Sequence, residues 1–199
     1  MAQDLPKKNG PWSVHTSEVR YDNPWLALEH NTVSHPDGSD GLYGVVRFKN
    51  LAIGVLPVFE DGTVPLVGQH RFPHDRYSWE LPEGGGPVGT EPLVSAQREL
   101  IEETGYRAEH WVRLAEFDVS NSVTDERAVC YLAWGLAAGP ARPEPSEDLA
   151  HKRIPFHDLV SKCLSGEIRD SLTLVMALTA DAQLRRGALP DEVSGYLRG

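Results

Sequence analysis

Residues 84–106, GGGPVGTEPLVSAQRELIEETGY, join a glycine-rich turn to an acidic segment of helical character. Glu99 and Glu103 are four residues apart, and Glu102 is three residues from Glu99, so a helix places the three carboxylates in one sector. Like charges at these spacings destabilise a helix unless cations neutralise them. Because Mg²⁺ prefers oxygen ligands, a few carboxylates and substrate phosphates, the sequence predicts a divalent-metal site here.

The residues at the ends of this segment predict a helix over about 91–104. Thr90 is expected to be the N-cap, because a hydroxyl can accept a hydrogen bond from a backbone N–H of the first turn. Glu91 and Pro92 suit the first turn that follows. Gly105 is expected to end the helix.

The composition of the chain argues against a nucleic-acid-binding, disulfide-rich or membrane-spanning protein. The chain has 199 residues and a formal net charge of −10, which argues against non-specific nucleic-acid binding through a basic surface. The two cysteines, Cys130 and Cys163, are not in a CxxC pair and are expected to be reduced, buried thiols. No apolar run approaches the length of a membrane span and residues 1–10 lack a signal-peptide core, so a cytoplasmic protein is expected.

The pattern of hydrophobic residues and turn signals predicts an α+β fold. The Asp61–Gly62 dipeptide is expected to form a hairpin between the strands on either side of it. Asp170 or Ser171 is expected to cap the last helix, and Gly187 to end it. Strands are predicted at 12–20, 25–33, 43–49, 51–60, 63–71, 110–118 and 127–135, a proline-rich loop at 139–148, and helices at 157–165 and 170–186.

The 84–106 segment resembles the Nudix box, Gly-x5-Glu-x7-Arg-Glu-U-x-Glu-Glu-x-Gly-U, where U is aliphatic or aromatic. Gly84, the run Arg98–Glu103 and Gly105 match at the right spacing. One position departs, because Thr90 stands where the first glutamate of the box is expected. In the family that glutamate mainly anchors the box arginine, here Arg98, so the departure concerns the tether between loop and helix more than the metal site.

Further segments resemble the ADP-ribose pyrophosphatase branch of Nudix hydrolases: NPWLALE (23–29), DGLYGVVRFK (40–49), VLPVFEDGTVPLVGQHRFP (55–73), SWELPEGGG (78–86) and GEIRDSLTLVMAL (166–178). The resemblance implies a Nudix α/β/α sandwich with a mixed sheet (49–199), preceded by a small antiparallel β subdomain (1–48). It also implies a homodimer whose N-terminal strands exchange between subunits. The expected reaction is hydrolysis of a nucleoside diphosphate sugar.

The same resemblance implies the metal ligands. Glu99 and Glu103 correspond to the principal ligands and Glu102 to a supporting one. Glu83, just before the first box glycine, corresponds to a residue that contributes its main-chain carbonyl. Two or three Mg²⁺ ions, or Mn²⁺, are expected in each site.

The resemblance also implies that the base lies outside the box, because in this branch a mobile loop after the helix supplies a glutamate. Glu126 occupies the matching place, and Asp125 beside it is the alternative. Asp125 can equally serve only to turn the chain before the strand at 127–135.

Substrate contacts follow from the resemblance at single positions. Arg71 matches an arginine that the family directs at the diphosphate or the sugar beside it, and its planar guanidinium suits binding of phosphate. Glu80 is a candidate acceptor for a ribose hydroxyl or the base. Trp25 is a candidate for stacking on adenine, and it can equally be a core or dimer-interface residue. Lys49 is a candidate for a further positive contact, with a solvated surface charge as the plainer alternative.

The substrate itself is left open by the sequence. Relatives that hydrolyse ADP-ribose typically have a proline about sixteen residues past the box, and Ser120-Asn121-Ser122 stands there instead. ADP-ribose is the first candidate substrate, and GDP-mannose and UDP- or ADP-glucose are the other candidate nucleotide sugars. Dinucleoside polyphosphates, coenzyme A, capped RNA and a non-catalytic sensor are the more distant alternatives.

Overall fold

The computed structural model describes residues 6–139 and 149–198. They form two compact units, one made of residues up to 50 together with 118–127, the other of 51–117 and the residues from 128 onward. Within the described ranges, no helix has both the length and the apolar character needed to cross a membrane. The predicted loop at 139–148 lies, apart from Gly139, outside the described residues.

The first unit is a four-stranded antiparallel sheet in the order β1 (Lys7–Asn9), β2 (Trp12–Asp22), β3 (Leu26–Ser34) and β4 (Asp40–Phe48). The segment 118–127 attaches to β4. The Tyr43 hydroxyl donates to the Ser122 carbonyl at 2.6 Å, and the Val46 N–H donates to the Val123 carbonyl at 2.8 Å. These bonds hold the loop that contains Asp125 and Glu126 to the sheet of the same unit.

The second unit contains a mixed sheet covered on both faces. Its strand order is β8 (Glu83–Pro87), β5 (Asn50–Pro57), β10 (Arg127–Ala138) and β9 (Tyr106–Asp118), with β5 parallel to β10. Side chains of a strand alternate between its two faces. Ile53 and Val55 therefore pack with Leu100 of helix α1 (Pro92–Thr104) on one face. On the other face Gly54 leaves room for Met176 of helix α3 (Ser171–Arg185).

A second, three-stranded sheet in this unit has the order β11 (Ala150–Pro155), β6 (Thr63–Arg71) and β7 (Arg76–Glu80). One turn of 3₁₀ helix (Phe72–His74) joins β6 to β7. Helix α2 (Phe156–Leu164) follows β11, and helix α4 (Asp191–Arg198) ends the described chain. The mixed α+β class and the antiparallel N-terminal sheet are as expected from the sequence.

Two local predictions are wrong. Asp61–Gly62 forms a turn, with Gly62 at φ 74°, but the strands on either side, β5 and β6, lie in different sheets and do not form a hairpin. The N-cap of α1 is Glu91, not Thr90, and it makes no side-chain capping bond. Pro92 explains the shift, because its fixed φ suits the first helical position and makes the preceding residue the cap.

The elements that the sequence did not predict are short or weakly patterned: β1, β7, β8, β11 and α4. Other predictions are confirmed. Gly105 ends α1 at φ 73°, and Asp170 caps α3 by accepting the Thr173 N–H at 2.7 Å. Cys130 and Cys163 are free, buried thiols.

Candidate active site

The box helix α1 lies against the glycine-rich strand β8, and the Glu99 carboxyl group of α1 lies over Gly84. A Cβ built on Gly84 would lie 2.3–2.4 Å from the three carboxyl atoms of Glu99, so only glycine leaves room for that carboxylate. Glu99 and Glu103 are 7% and 3% exposed. Burial of two carboxylates on adjacent turns is costly unless positive charge or hydrogen bonds compensate.

Arg98 connects this helix to the turn. Its guanidinium donates to the Gly85 carbonyl at 2.8 Å and to Glu99 Oε1 at 2.6 Å, and it also pairs with Glu102. Arg98 therefore bonds directly to the main chain of the turn, although Thr90 replaces the glutamate that anchors this arginine in the family. The loop-to-helix tether that Thr90 called into question is therefore present.

The segment 80–83 is fixed by main-chain bonds from three sides. The Leu81 N–H donates to Thr173 Oγ1 at 2.9 Å, and the Pro82 carbonyl accepts the Val55 N–H at 2.9 Å. The Glu83 N–H donates to Glu103 Oε2 at 3.0 Å. Glu103 is therefore held against the main chain of the residue whose carbonyl the resemblance assigns to metal binding.

The Glu83 side chain belongs to a second acidic group, beside the first group formed by Glu99 and Glu103 on α1. Among the described residues, Glu80, Glu83 and Asp170 have carboxylate oxygens that all lie within 4.8 Å of one another. Glu83 Oε2 is buried and accepts no hydrogen bond there. Burial, together with the negative charges of Asp170 and Glu80, raises the pKa of Glu83 well above its usual value.

Arg71 is the counter-ion of this acidic group. Its Nε donates to Glu80 at 2.9–3.0 Å, and its Nη2 donates to Glu83 Oε1 at 2.8 Å and also pairs with Glu80. These carboxylates raise the pKa of Arg71 further, against the opposing effect of burial. The other terminal nitrogen, Nη1, has no partner within the described ranges, so one edge of the guanidinium is fixed and another can donate.

The carboxylate oxygens of both acidic groups are the hard ligands that Mg²⁺ and Mn²⁺ accept. An orphaned, buried oxygen on Glu83 fits the same chemistry, since a cation can satisfy an acceptor that no N–H or O–H reaches. The donor set therefore suits a divalent cation. Of the three carboxylates on α1 that the sequence predicted as ligands, Glu99 and Glu102 both pair with Arg98, and Glu103 accepts the Glu83 N–H.

Comparison with known proteins agrees with this geometry. A family model described as NUDIX domain matches residues 49–174, and one described as nucleoside diphosphate sugar hydrolase N-terminal domain matches residues 12–46. The chain belongs to the Nudix family. It is a Nudix hydrolase, an enzyme that acts on phosphoric anhydride bonds.

Two relatives and one solved structure illustrate the similarity. An ADP-ribose pyrophosphatase of Mycobacterium tuberculosis is 32% identical, covering 84% of this chain and 82% of that protein. An ADP-ribose pyrophosphatase of Bacillus subtilis is 32% identical, covering 71% and 77%. A crystal structure of an ADP compounds hydrolase superposes with a TM-score of 0.80 over 92% of this chain at 17% identity, which supports the fold.

The remaining predicted residues of this Nudix hydrolase lie in the first unit. Trp25 is 65% exposed, and its carbonyl accepts the Lys49 N–H at 2.9 Å. The Lys49 ammonium pairs with Asp22 and the Asn23 carbonyl, so its charge is already engaged. The structure therefore brings Trp25 and Lys49 together beside one turn.

The two candidates for the base differ in their surroundings. Asp125 is occupied, since it accepts the Phe48 N–H at 2.9 Å and pairs with Arg47 at 3.3 Å. The Glu126 carboxylate has no hydrogen bond to the part of the chain that the structure describes. Partial burial, and secondarily the charge of Asp125, raise the pKa of Glu126 above its usual value. These surroundings favour Glu126 over Asp125.

Sequence reasoning missed Asp170 and Thr173 as parts of the site. Asp170 was predicted only as a helix cap, and it is also a member of the acidic group with Glu80 and Glu83. Asp170 lies within 166–178, a segment that resembles the family, and this position in the sequence was the signal that could have indicated a role in the site.

Proposed function

We propose that this chain is a Mg²⁺-dependent pyrophosphohydrolase that cleaves the diphosphate of ADP-ribose or a similar nucleoside diphosphate sugar. The products are a nucleoside monophosphate and a sugar phosphate. The observation that carries the proposal is the contact of two buried carboxylates, Glu99 and Glu103, with the main chain at Glu83 and Gly84. The names of the two bacterial relatives support the choice of substrate class.

In the proposed reaction, water adds to one phosphorus of the diphosphate and the bond from that phosphorus to the bridging oxygen breaks. The bridging oxygen leaves with the other phosphate, and the water loses a proton. Bound divalent ions would neutralise charge on the diphosphate and lower the pKa of a bound water. Glu99 and Glu103, with Glu102 and the Glu83 carbonyl, are the proposed ligands for these ions.

Arg71 and Glu126 have separate roles in this proposal. Arg71 donates through Nη1 to a phosphate oxygen, while Glu80 and Glu83 hold its other edge in place, which limits the entropy lost on binding. Glu126 takes the proton from the attacking water. A carboxylate whose pKa lies above its usual value is a stronger base once it is ionised.

Trp25 and Lys49 are the further proposed substrate contacts, and Glu80 has a proposed positioning role. The exposed ring of Trp25 offers a flat surface for a nucleobase. Lys49 is held beside it by Asp22. Glu80 is 4% exposed and bonded to Arg71, which favours a positioning role over direct contact with a ribose hydroxyl.

The proposed assembly is a homodimer formed through the first unit. This unit exposes large hydrophobic side chains: Val19, Tyr21, Trp25, Leu28 and Leu42. Tyr21 and Leu28 are directly opposite in the β2–β3 register, which places them on one face. Exposed apolar clusters of this kind are typical of protein interfaces. Light scattering coupled to size exclusion tests this, with a dimer mass expected and a monomer mass contradicting it.

The test of the function is hydrolysis by purified protein with Mg²⁺, with and without EDTA. The substrates are ADP-ribose, GDP-mannose, ADP-glucose, a dinucleoside polyphosphate and coenzyme A, and the readout is release of phosphate monoesters. We expect ADP-ribose or another nucleotide sugar to be hydrolysed fastest, and EDTA to stop the reaction. Turnover of none of them would refute the enzymatic proposal.

Glu103→Gln tests the ligand assignment, with exposed Glu109→Gln on β9 as the control. We expect Glu103→Gln to lose at least about 100-fold in kcat, the range that loss of a well-placed electrostatic group produces. Its binding of Mn²⁺, followed by electron paramagnetic resonance, should weaken in parallel. Equal activity in the two variants would remove Glu103 from the metal site.

A further inference from the structure

The second unit has a basic recess on the face of β7 opposite the acidic group. Side chains alternate along a strand, so Glu80 faces the acidic group while Trp79 and Tyr77 face the other way. The recess has a volume of about 490 Å³. Tyr77 and Trp79 line it from that face, Arg76 lines it from the first position of β7, and Lys152, Lys162 and Arg169 supply the remaining charged side chains that define it.

The aromatic floor of the basic recess depends on Gly68 in the neighbouring strand β6. A Cβ on Gly68 would lie 2.5 Å from the Tyr77 hydroxyl and 2.8 Å from the Trp79 ring, so any larger residue would displace the floor. Tyr77 and Trp79 meet edge to face with ring centroids 5.6 Å apart. Lys152 Nζ lies 3.8 Å from the centre of the Trp79 ring, which fixes the ammonium over the floor.

The charge of the recess is opposite to that of the whole chain. It holds four cationic side chains and one carboxylate, Glu167, which pairs with Lys162 at 2.7 Å. Arg76 and Arg169 have no ion-pair partner within residues 6–139 and 149–198. Arg169 Nε donates to the Gly166 carbonyl at 3.3 Å, which holds its charge at the rim.

The Lys152 ammonium is partly buried and lies near a second cation of the recess, Lys162. Its burial and the nearby ammonium of Lys162 lower the pKa of Lys152, with Glu167 acting in the opposite direction. Like charges held this close, in a chain whose formal net charge is −10, gain stability from an anion placed among them.

We propose that the basic recess binds a small phosphorylated anion, of the class of phosphate monoesters and inorganic phosphates. Lysine and arginine donors converging on one cavity match the several oxygens of a phosphate group. A cavity of about 490 Å³ fits a small molecule. A long nucleic acid would also meet the negative field of the remaining surface.

The recess is separate from the proposed hydrolytic site, because no residue that lines it belongs to the acidic groups. The inference therefore does not depend on the proposed hydrolase activity. A phosphate monoester held there is a ligand and undergoes no reaction.

The test is calorimetric titration of the full chain with sodium pyrophosphate, in EDTA, against NaCl of equal ionic strength. We expect saturable binding of pyrophosphate and none of chloride. Lys152→Gln and Arg169→Gln should each weaken binding by about tenfold or more, the effect of losing one charged hydrogen-bond donor. Arg185→Gln, an exposed residue of α3 that pairs with Asp181, is the control and should leave the affinity unchanged.

A local readout comes from Trp79. Pyrophosphate should change the tryptophan emission of the wild type and leave that of Trp79→Phe unchanged. Unaltered affinity in both Lys152→Gln and Arg169→Gln would overturn the proposal, as would equal heats from chloride. A single-stranded oligonucleotide that bound through the same residues more tightly than pyrophosphate would also overturn it. Hydrolysis of ADP-ribose, measured in parallel, should persist in Lys152→Gln, so the two proposals can fail independently.

Discussion

Gly84→Ala is the substitution whose effect the structure defines most closely. The added Cβ would lie 2.3 Å from Cδ of Glu99 and 2.4 Å from each of its carboxylate oxygens. Since unstrained contacts between such atoms are about 3.5 Å, the overlap is about 1.1–1.2 Å. The atom in the way belongs to a side chain that is 7% exposed and bonded to Arg98, so it has little freedom to move aside.

Two consequences follow from a displacement of that size. Overpacking of this kind costs about 1–3 kcal/mol of unfolding free energy. A shift of roughly 1 Å in a ligand of the reacting centre costs about 100-fold in rate. We therefore expect Gly84→Ala to be folded, modestly destabilised and about 100-fold lower in kcat with a nucleotide sugar and Mg²⁺.

Gly86→Ala is the matched control. Its Cβ would lie 2.8 Å from Cγ1 of Ile53 and 3.0 Å from Oγ of Ser95, so it strains the same strand without touching an acidic residue. We expect a similar loss of stability in urea titration, with kcat within a few-fold of wild type. The reasoning would be refuted if Gly84→Ala kept kcat within threefold, or if Gly86→Ala lost as much activity as Gly84→Ala.

Three further predictions concern the base, the thiols and the cap of α3. The pH–activity profile should rise through a pKa above the usual glutamate value, because Glu126 acts as a base only when it is ionised. Glu126→Gln should abolish this rising part of the profile, and an unchanged profile in that variant would exclude Glu126 as the base. Burial raises the pKa of Cys130 to about 12 and that of Cys163 to about 11, so iodoacetamide at pH 8 should label neither thiol before unfolding; labelling of the native protein would contradict this. Asp170→Ala should lower the free energy of unfolding, measured by urea titration, by about 1 kcal/mol, because the cap to the Thr173 N–H is lost. Asp170→Asn should keep that cap and the stability, and equal destabilisation in the two variants would show that the cap is not the cause.

The parts of the fold with strong local signals were predictable. Helix α1 follows from its acidic and apolar spacing and from Gly105, and α3 follows from Asp170 and its apolar face. Strand β8 has the sequence EGGGP, which carries no β propensity and forms because β5 pairs beside it. The Asp61–Gly62 turn was recognised from its chemistry, but local sequence does not determine which strands pair.

The candidate site was predictable where one helix carries it and not where distant segments meet. Glu99 and Glu103 share a helical face, so their spacing alone places them together. Asp170 and Glu83 are 87 positions apart (170 − 83) and meet only because α3 begins beside the segment that precedes β8. No periodicity within either segment encodes that meeting.

Glu83 is the residue at which the two acidic groups join, and this shapes the electrostatics of the whole site. Its N–H holds Glu103, while its side chain shares Arg71 with Glu80 and lies near Asp170. One guanidinium therefore faces three carboxyl groups. Burial, and then the negative charges of Asp170 and Glu80, raise the pKa of Glu83 against the opposing effect of Arg71. The demand for additional cations thus comes from the acidic group around Glu83 as well as from the box helix. Arg71, fixed by the same carboxylates, is already oriented where that positive charge is needed.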